Sequence, residues 1–419
     1  MNRMTLALSL ALAGSWMGPG LPLALGAEAA TERDPAHQHY SQGVGLLASG
    51  DLLGAKAELR EALRLRPDLV QARFSLATAL YLGGDIDSAI DAYRTVIRQQ
   101  PDLAHAHLHL GITLMVAHDW TGARASLQKA VTLQPDSVTG HYNLGLVRNR
   151  LGDRKGAMAS WREALRLRPD HADAHYRLGL ALKKDKQNAE ATKEFLAAAQ
   201  AGVPLAQYEV GVAYASGAGV ERNLSSAIGW WFLAADQEVP EAKEALAQLR
   251  GMTLATGKRT AGEARVVQDA FAEFRRSLWQ QVPDLKGRAP DESVGIGLLQ
   301  AGRVNEAVPM LLHEAAALSE PAQAQLEAIY INGVRGRLLP HDPRIFAYFS
   351  TAGEEPLPYP RLVLARIYGR GIGVPPDLKK ALALLKGNSL EDAKALAKEL
   401  SSTPKGATAP QPTVGPRTR

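Results

Sequence analysis

Histidine is the most chemically suggestive residue in this 419-residue chain. His105, His107 and His109 form an HAHLH string. On a helix, His105 and His109 lie four apart and share one face, as two metal ligands would. A third ligand would have to project from a neighbouring helix. The positions in register beside the pair are Gln71 and Thr139, then Ser75 and Asn143, and none is a strong ligand. The pair thus supplies only part of a metal site, and helix-face packing or groove lining accounts for it. His39, His107, His141 and His175 recur at one repeat position, where packing at a half-buried seam explains them. Gly251 to Lys258 (GMTLATGK) has the residue types of a phosphate-binding loop without its spacing. Five residues separate its glycines where four are needed, and Arg259 stands where Ser or Thr should hold magnesium. The sequence has no GxSxG elbow and no HExxH pair. Cysteine is absent, which removes thiolate nucleophiles, thiolate metal sites and disulfides. The chain reads as a non-enzyme with no catalytic residue, no resident metal and no cofactor.

Composition agrees. Lys and Arg total 48 against 43 Asp and Glu, a net charge of +5 spread over the whole chain. A nucleic-acid footprint needs clustered charge, so no nucleic-acid partner is expected. Hydrophobic residues make up 46%, enough for a large core. Residues 1–29 read as a secretory signal: Arg3 supplies the positive charge, Thr5 to Met17 the apolar run, and Ala27 and Ala29 the small residues before a cleavage site. The apolar run is shorter than the about 20 residues a spanning helix needs. The expected location is therefore periplasmic or secreted, with cleavage near Ala29. The alternative is an N-terminal membrane anchor.

A fixed period dominates the rest. Pro67, Pro101, Pro135 and Pro169 are each 34 residues apart, in the strings RLRPD, RQQPD, TLQPD and RLRPD. Three further series keep the register: Ala55, Ala89, Ala123, Ala157 and Ala191; Gly43, Ala77, Gly111, Gly145 and Gly179; and Leu59, Tyr93, Leu127, Trp161 and Phe195. Small residues such as Gly111 and Ala123 let two helices approach closely. A large residue such as Leu127 fills the seam, and the proline stops the second helix. Asp68, Asp102, Asp136 and Asp170 follow the prolines and are expected to cap the next helix. This pattern resembles the tetratricopeptide repeat, with five units over 36–203. From Ala206 the chain resembles the Sel1-like repeat: Gly211, Tyr214, Gly217, Gly219, Val220, Ala227, Trp230 and Ala234 match, with Asn223 where that family usually has Asp. A second copy follows Leu364, with Tyr368, Gly371, Gly373, Val374, Asp377 and Ala381.

The expected fold is all-α, an α-solenoid: a right-handed superhelix of tetratricopeptide helix pairs followed by Sel1-like pairs. The expected parts are the five repeats, a Sel1-like repeat over 204–250, a linker-helix region over 251–290, degenerate repeats over 291–400 and a disordered tail over 401–419. In the linker, Val267, Phe271, Phe274 and Leu278 recur at helical spacing.

The resemblance implies that the first helix of each unit lines a concave groove. Its fifth positions are Tyr40, Phe74, Leu108, Tyr142 and Tyr176. Its sixth include His109, Asn143 and Arg177, and its last two include Tyr81, Arg150, Lys183 and Lys184. The groove is expected to run from apolar in units one to three to basic in units four and five, suiting a segment with an apolar anchor and an acidic end. The residues assigned to partner binding are Tyr40, Phe74, Tyr81, Asn143, Arg150, Arg177, Lys183 and Lys184. The carboxylate clamp of the chaperone-binding branch is not reproduced, since only Asn143 and Arg177 match it. The expected function is a non-catalytic extracytoplasmic scaffold holding a protein or peptide. One alternative is an envelope or exopolysaccharide assembly factor contacting glycan. The other is a Sel1-like hydrolase, which the missing cysteines disfavour.

Overall fold

A computed structural model describes residues 34–254, 258–282 and 293–402. The signal segment, residues 255–257 of the GMTLATGK string, residues 283–290 of the linker and the tail from residue 403 lie outside the described residues. Among those described, regular structure is helical apart from one isolated antiparallel bridge, Val334 to Leu338. None of the described helices is long and apolar enough to cross a membrane. The chain divides into two compact units, residues 1–187 and 188–419.

The first unit carries α1 (Pro35–Ser49), α2 (Leu52–Leu65), α3 (Val70–Leu82), α4 (Ile86–Gln99), α5 (Ala104–Val116), α6 (Trp120–Leu133), α7 (Val138–Arg150), α8 (Arg154–Leu167) and α9 (Ala172–Lys184). Each helix packs on the next, and first helices of adjacent pairs also touch, α1 on α3 and α5 on α7. The small-against-large pattern has a direct geometric cause. A Cβ on Gly111 would lie 2.6 Å from Leu127 Cγ, and one on Gly145 would lie 2.4 Å from Trp161 Nε1. Neither contact is sterically possible, so glycine is what lets α5 meet α6 and α7 meet α8 this closely.

Helix starts correct one expectation. Asp68, Asp102, Asp136 and Asp170 sit exposed in the turns after the prolines and cap nothing. They fall one residue too early, and the N-cap positions are Leu69, Leu103, Ser137 and His171. The capping aspartates are Asp51, Asp85, Asp119 and Asp153, also 34 apart, inside each pair. Asp51 accepts from Gly54 N at 2.9 Å, and Asp119 and Asp153 do the same for Gly122 and Gly156. Each satisfies an amide that the first helical turn leaves unpaired.

The second unit carries α10 (Asn188–Gln200), α11 (Pro204–Ser216), α12 (Leu224–Asp236), α13 (Pro240–Met252), α14 (Lys258–Leu278), α15 (Val294–Gln300), α16 (Val304–Ala316), α17 (Glu320–Asn332), α18 (Pro343–Glu354), α19 (Pro358–Arg370), α20 (Leu378–Leu385) and α21 (Glu391–Ser402). The apolar face of α14 (Val267, Phe271, Phe274 and Leu278) is buried with Trp231, Phe232 and Leu246. Three loops close alike. Asn223 N donates to Tyr214 O, Asp377 N to Tyr368 O, and His341 N to Tyr330 O, at 2.8–3.0 Å. Asn223 and Asp377 then cap α12 and α20, so the Asn in place of Asp does the same work. The third loop is longer and delays its cap to Asp342. Glu314, 2% exposed, reaches across to the start of α15 and accepts from Ser293 Oγ, Val294 N and Gly295 N.

Candidate partner-binding face

The first helices of the pairs present one ring-rich row. Tyr40, Phe74, Leu108, Tyr142 and Tyr176 recur every 34 residues and are all half-buried. Tyr40 meets the His37 ring edge-on at 6.5 Å. Phe74, Tyr93 and His109 form a three-ring cluster with centroid separations of 5.1–5.8 Å. Tyr93 is fully buried, and its hydroxyl lies 2.9 Å from Thr78 Oγ1 and 3.4 Å from His109 Nδ1. Burial, helped by the nearby His105 charge, pushes the His109 pKa down to about 4. The imidazole is therefore neutral at physiological pH, and it packs as an aromatic ring. Tyr142 stacks on His171 at 4.8 Å and 28°. Burial raises its phenol pKa, opposed by Arg177.

The basic end is built differently. The Arg177 guanidinium lies over its neighbour Tyr176 at 5.7 Å. Arg150 turns away along the edge and covers the Trp120 ring at 5.4 Å. Lys183 and Lys184 are exposed at the end of α9. Asn143 Nδ2 donates to Thr139 O at 2.9 Å, one turn back on its own helix.

Tyr81 departs from its expected place. It is 9% exposed and joins the buried cluster that holds Tyr93, Leu110 and Leu114. Its register position faces the next pair, where α5 is apolar, so the ring becomes core. Asn149 and Lys183, at the same position in later pairs, are exposed.

Three histidines at one register position serve the proline turns. His107, His141 and His175 each place Nε2 2.8–2.9 Å from the carbonyl of the proline six residues earlier. Arg73, in the same register, donates to Pro67 O. This contact pins the proline turn to the following helix. His105 is exposed, and among the described residues no group of three or more His, Asp or Glu is placed to hold a metal.

Comparison with known proteins agrees with the geometry of the pairs. A tetratricopeptide-repeat model matches residues 40–104 and 108–161, a second TPR-repeat model matches 147–186, and the Sel1-repeat model matches 204–239 and 362–386. The chain carries tetratricopeptide repeats followed by Sel1 repeats. No curated protein matches it. Among solved structures, a crystal structure of MamA is 24% identical, covering 38% of this chain and 92% of that one, with a TM-score of 0.37. YrrB, described as a TPR protein with an unusual peptide-binding site, is 22% identical, covering 45% and 96%, with a TM-score of 0.39. Pseudomonas aeruginosa pilF is 20% identical, covering 57% and 99%, with a TM-score of 0.39.

Within the tetratricopeptide repeats, the structure brings Phe74 to His109 and Tyr142 to His171, pairing rings from adjacent repeats, and sets Arg177 beside Tyr142. It leaves Tyr40 apart at the first repeat and sends Arg150 to the turn edge. Sequence reasoning missed Trp120 and His171, which hold Arg150 and Tyr142. A signal existed for Trp120: it is a large aromatic at a helix start, where the other repeats have Leu52, Ile86 and Arg154.

Proposed function

We propose that this chain is a non-catalytic, extracytoplasmic scaffold that holds an extended segment of a partner protein along the first helices of its tetratricopeptide repeats. Tetratricopeptide and Sel1 repeats are typically protein-binding scaffolds. The observation that supports this reading is the row of half-buried rings at one register position, Tyr40, Phe74, Tyr142 and Tyr176, with Arg177, Lys183 and Lys184 at one end. Rings at half burial offer apolar area that is already ordered, so a ligand that covers them gains contact at little entropic cost. The basic end then orients a segment whose acidic residues follow its apolar anchor.

The test is crosslinked capture from a cell-envelope fraction, with wild type beside an Arg150→Glu, Arg177→Glu, Lys184→Glu triple variant and a Tyr40→Ala variant. The reading expects a protein retained by wild type and lost from both variants, with retention falling as salt rises. Equal retention by all three forms overturns it.

A further inference from the structure

We infer that the turn edge of repeats three to five, formed by His118, Trp120, Arg150, Lys155, Lys184 and Lys186, docks an acidic segment of a partner protein. This inference rests on the scaffold reading and places the acidic part of the partner on the turns, beside the first-helix face.

The first observation is a departure from the repeat's own rule. The turn between the two helices of each repeat needs one left-handed residue. Repeats one, two and four use Gly50, Gly84 and Gly152 at φ 81–85°. Repeats three and five use His118 and Lys186, both at φ 62°. The hydrogen bond that closes the turn is the same in all five, from the left-handed residue to the carbonyl three before it. A side chain with a Cβ is strained in this conformation where glycine is not. The two departures flank the fourth repeat, which keeps Gly152, and both put a nitrogen-bearing side chain at an exposed tip.

The second observation is the charge and its preparation. Arg150 lies over Trp120, and His118 approaches that same ring at 5.7 Å. A guanidinium held by its face keeps its N–H edge open to a carboxylate, with less side-chain freedom to lose on binding. The acidic groups on this edge are engaged. Asp119 and Asp153 cap their helices, and Asp185 accepts from Arg154 at 2.6 Å. Lys155, Lys184 and Lys186 are exposed and make no ion pair among the described residues. At the register positions of Arg150, Lys155 and Lys186, the first repeat carries Ala48, Leu53 and Gly50 and the second carries Leu82, Asp87 and Gly84, so the positive stretch is local. A run of carboxylates fits this edge better than a bilayer does. Its apolar exposure is confined to Leu151, 38% exposed, and a half-buried Trp120 already covered by Arg150.

The experiment titrates labelled polyglutamate into the full chain at low salt, with polyglutamine and phosphatidylglycerol vesicles as the other probes. Polyglutamate binds and polyglutamine does not. A Lys155→Glu, Lys186→Glu double variant, which leaves every first-helix residue intact, weakens binding by about tenfold or more. Lys186→Gly weakens polyglutamate binding while raising the denaturation midpoint, because it relieves the left-handed strain. A purely structural role for Lys186 would not lower affinity while raising stability. Tyr40→Ala leaves polyglutamate affinity unchanged, so failure of the ring-row reading and failure of this one are separable. Equal affinity for polyglutamate and polyglutamine, unchanged binding by the double variant, or binding of the vesicles in place of polyglutamate overturns the inference.

Discussion

Gly145→Ala isolates the device on which the repeat stacking rests. Alanine at this position gains about 1 kcal/mol of helix propensity over glycine. Against that, the new Cβ would stand 2.4, 2.6 and 2.8 Å from Nε1, Cδ1 and Cε2 of Trp161. Trp161 is 1% exposed and cannot swing into solvent. Its Nε1 also donates to Tyr142 O at 3.2 Å, on the helix the methyl would push away. Overpacking of this kind costs about 1–3 kcal/mol, and losing the indole hydrogen bond adds about 1 kcal/mol. The net expectation is a loss of about 2 kcal/mol, read as a lowered urea midpoint by circular dichroism. The chain itself supplies the rescue. In the second repeat the same register pair is Ala77 and Tyr93, both buried. Gly145→Ala with Trp161→Phe should therefore lose less than the sum of the two single changes, with a coupling of about 1 kcal/mol or more. Phenylalanine is chosen over tyrosine because Thr78, which partners the Tyr93 hydroxyl, is replaced in the fourth repeat by Leu146. A neutral or stabilising Gly145→Ala, or strictly additive single changes, would refute the steric reasoning.

Two further outcomes follow from the buried polar groups. His109 is held down to about 4 in the folded chain, first by burial and then by His105. Unfolded chains protonate this group near pH 6.5, so the unfolded state binds more protons between pH 6.5 and 4. Stability should thus fall with pH across that window, by about 3 kcal/mol at most, and His109→Phe should flatten that part of the profile in acid denaturation. In the second unit, Arg250 grips Glu355 through two nitrogens, with side chains only 12% and 16% exposed. Arg250→Ala should cost about 3 kcal/mol by leaving a carboxylate buried and unpaired, whereas Arg250→Met with Glu355→Leu should recover most of it in thermal unfolding.

Much of the fold was legible because the period is rigid. A 34-residue repeat with small and large residues at constant offsets admits few structures besides stacked helix pairs, and the steric contacts at Gly111 and Gly145 show why those offsets persist. The face was less legible. Register tells which turn of a helix a residue occupies, but burial depends on what the next repeat presents. Tyr81 is core because α5 is apolar opposite it, while Lys183 at the same register is exposed. The aspartates show the same limit at smaller scale: two series with one period are equal candidates for capping, and a one-residue offset in backbone conformation decides between them.

By itself the sequence determined the all-helical class, the tetratricopeptide and Sel1 register, and the pairs of residues that must touch within a repeat. All of these are contacts at short, constant separation, which periodicity encodes. The tertiary structure decided what happens between repeats: Arg150 on Trp120, Tyr142 on His171, and the histidines tied to proline carbonyls. It also showed that His118 and Lys186 hold a conformation their sibling repeats leave to glycine. The reason is physical. Side-chain direction follows from how neighbouring helices crowd each other, and that crowding exists only once the helices are stacked.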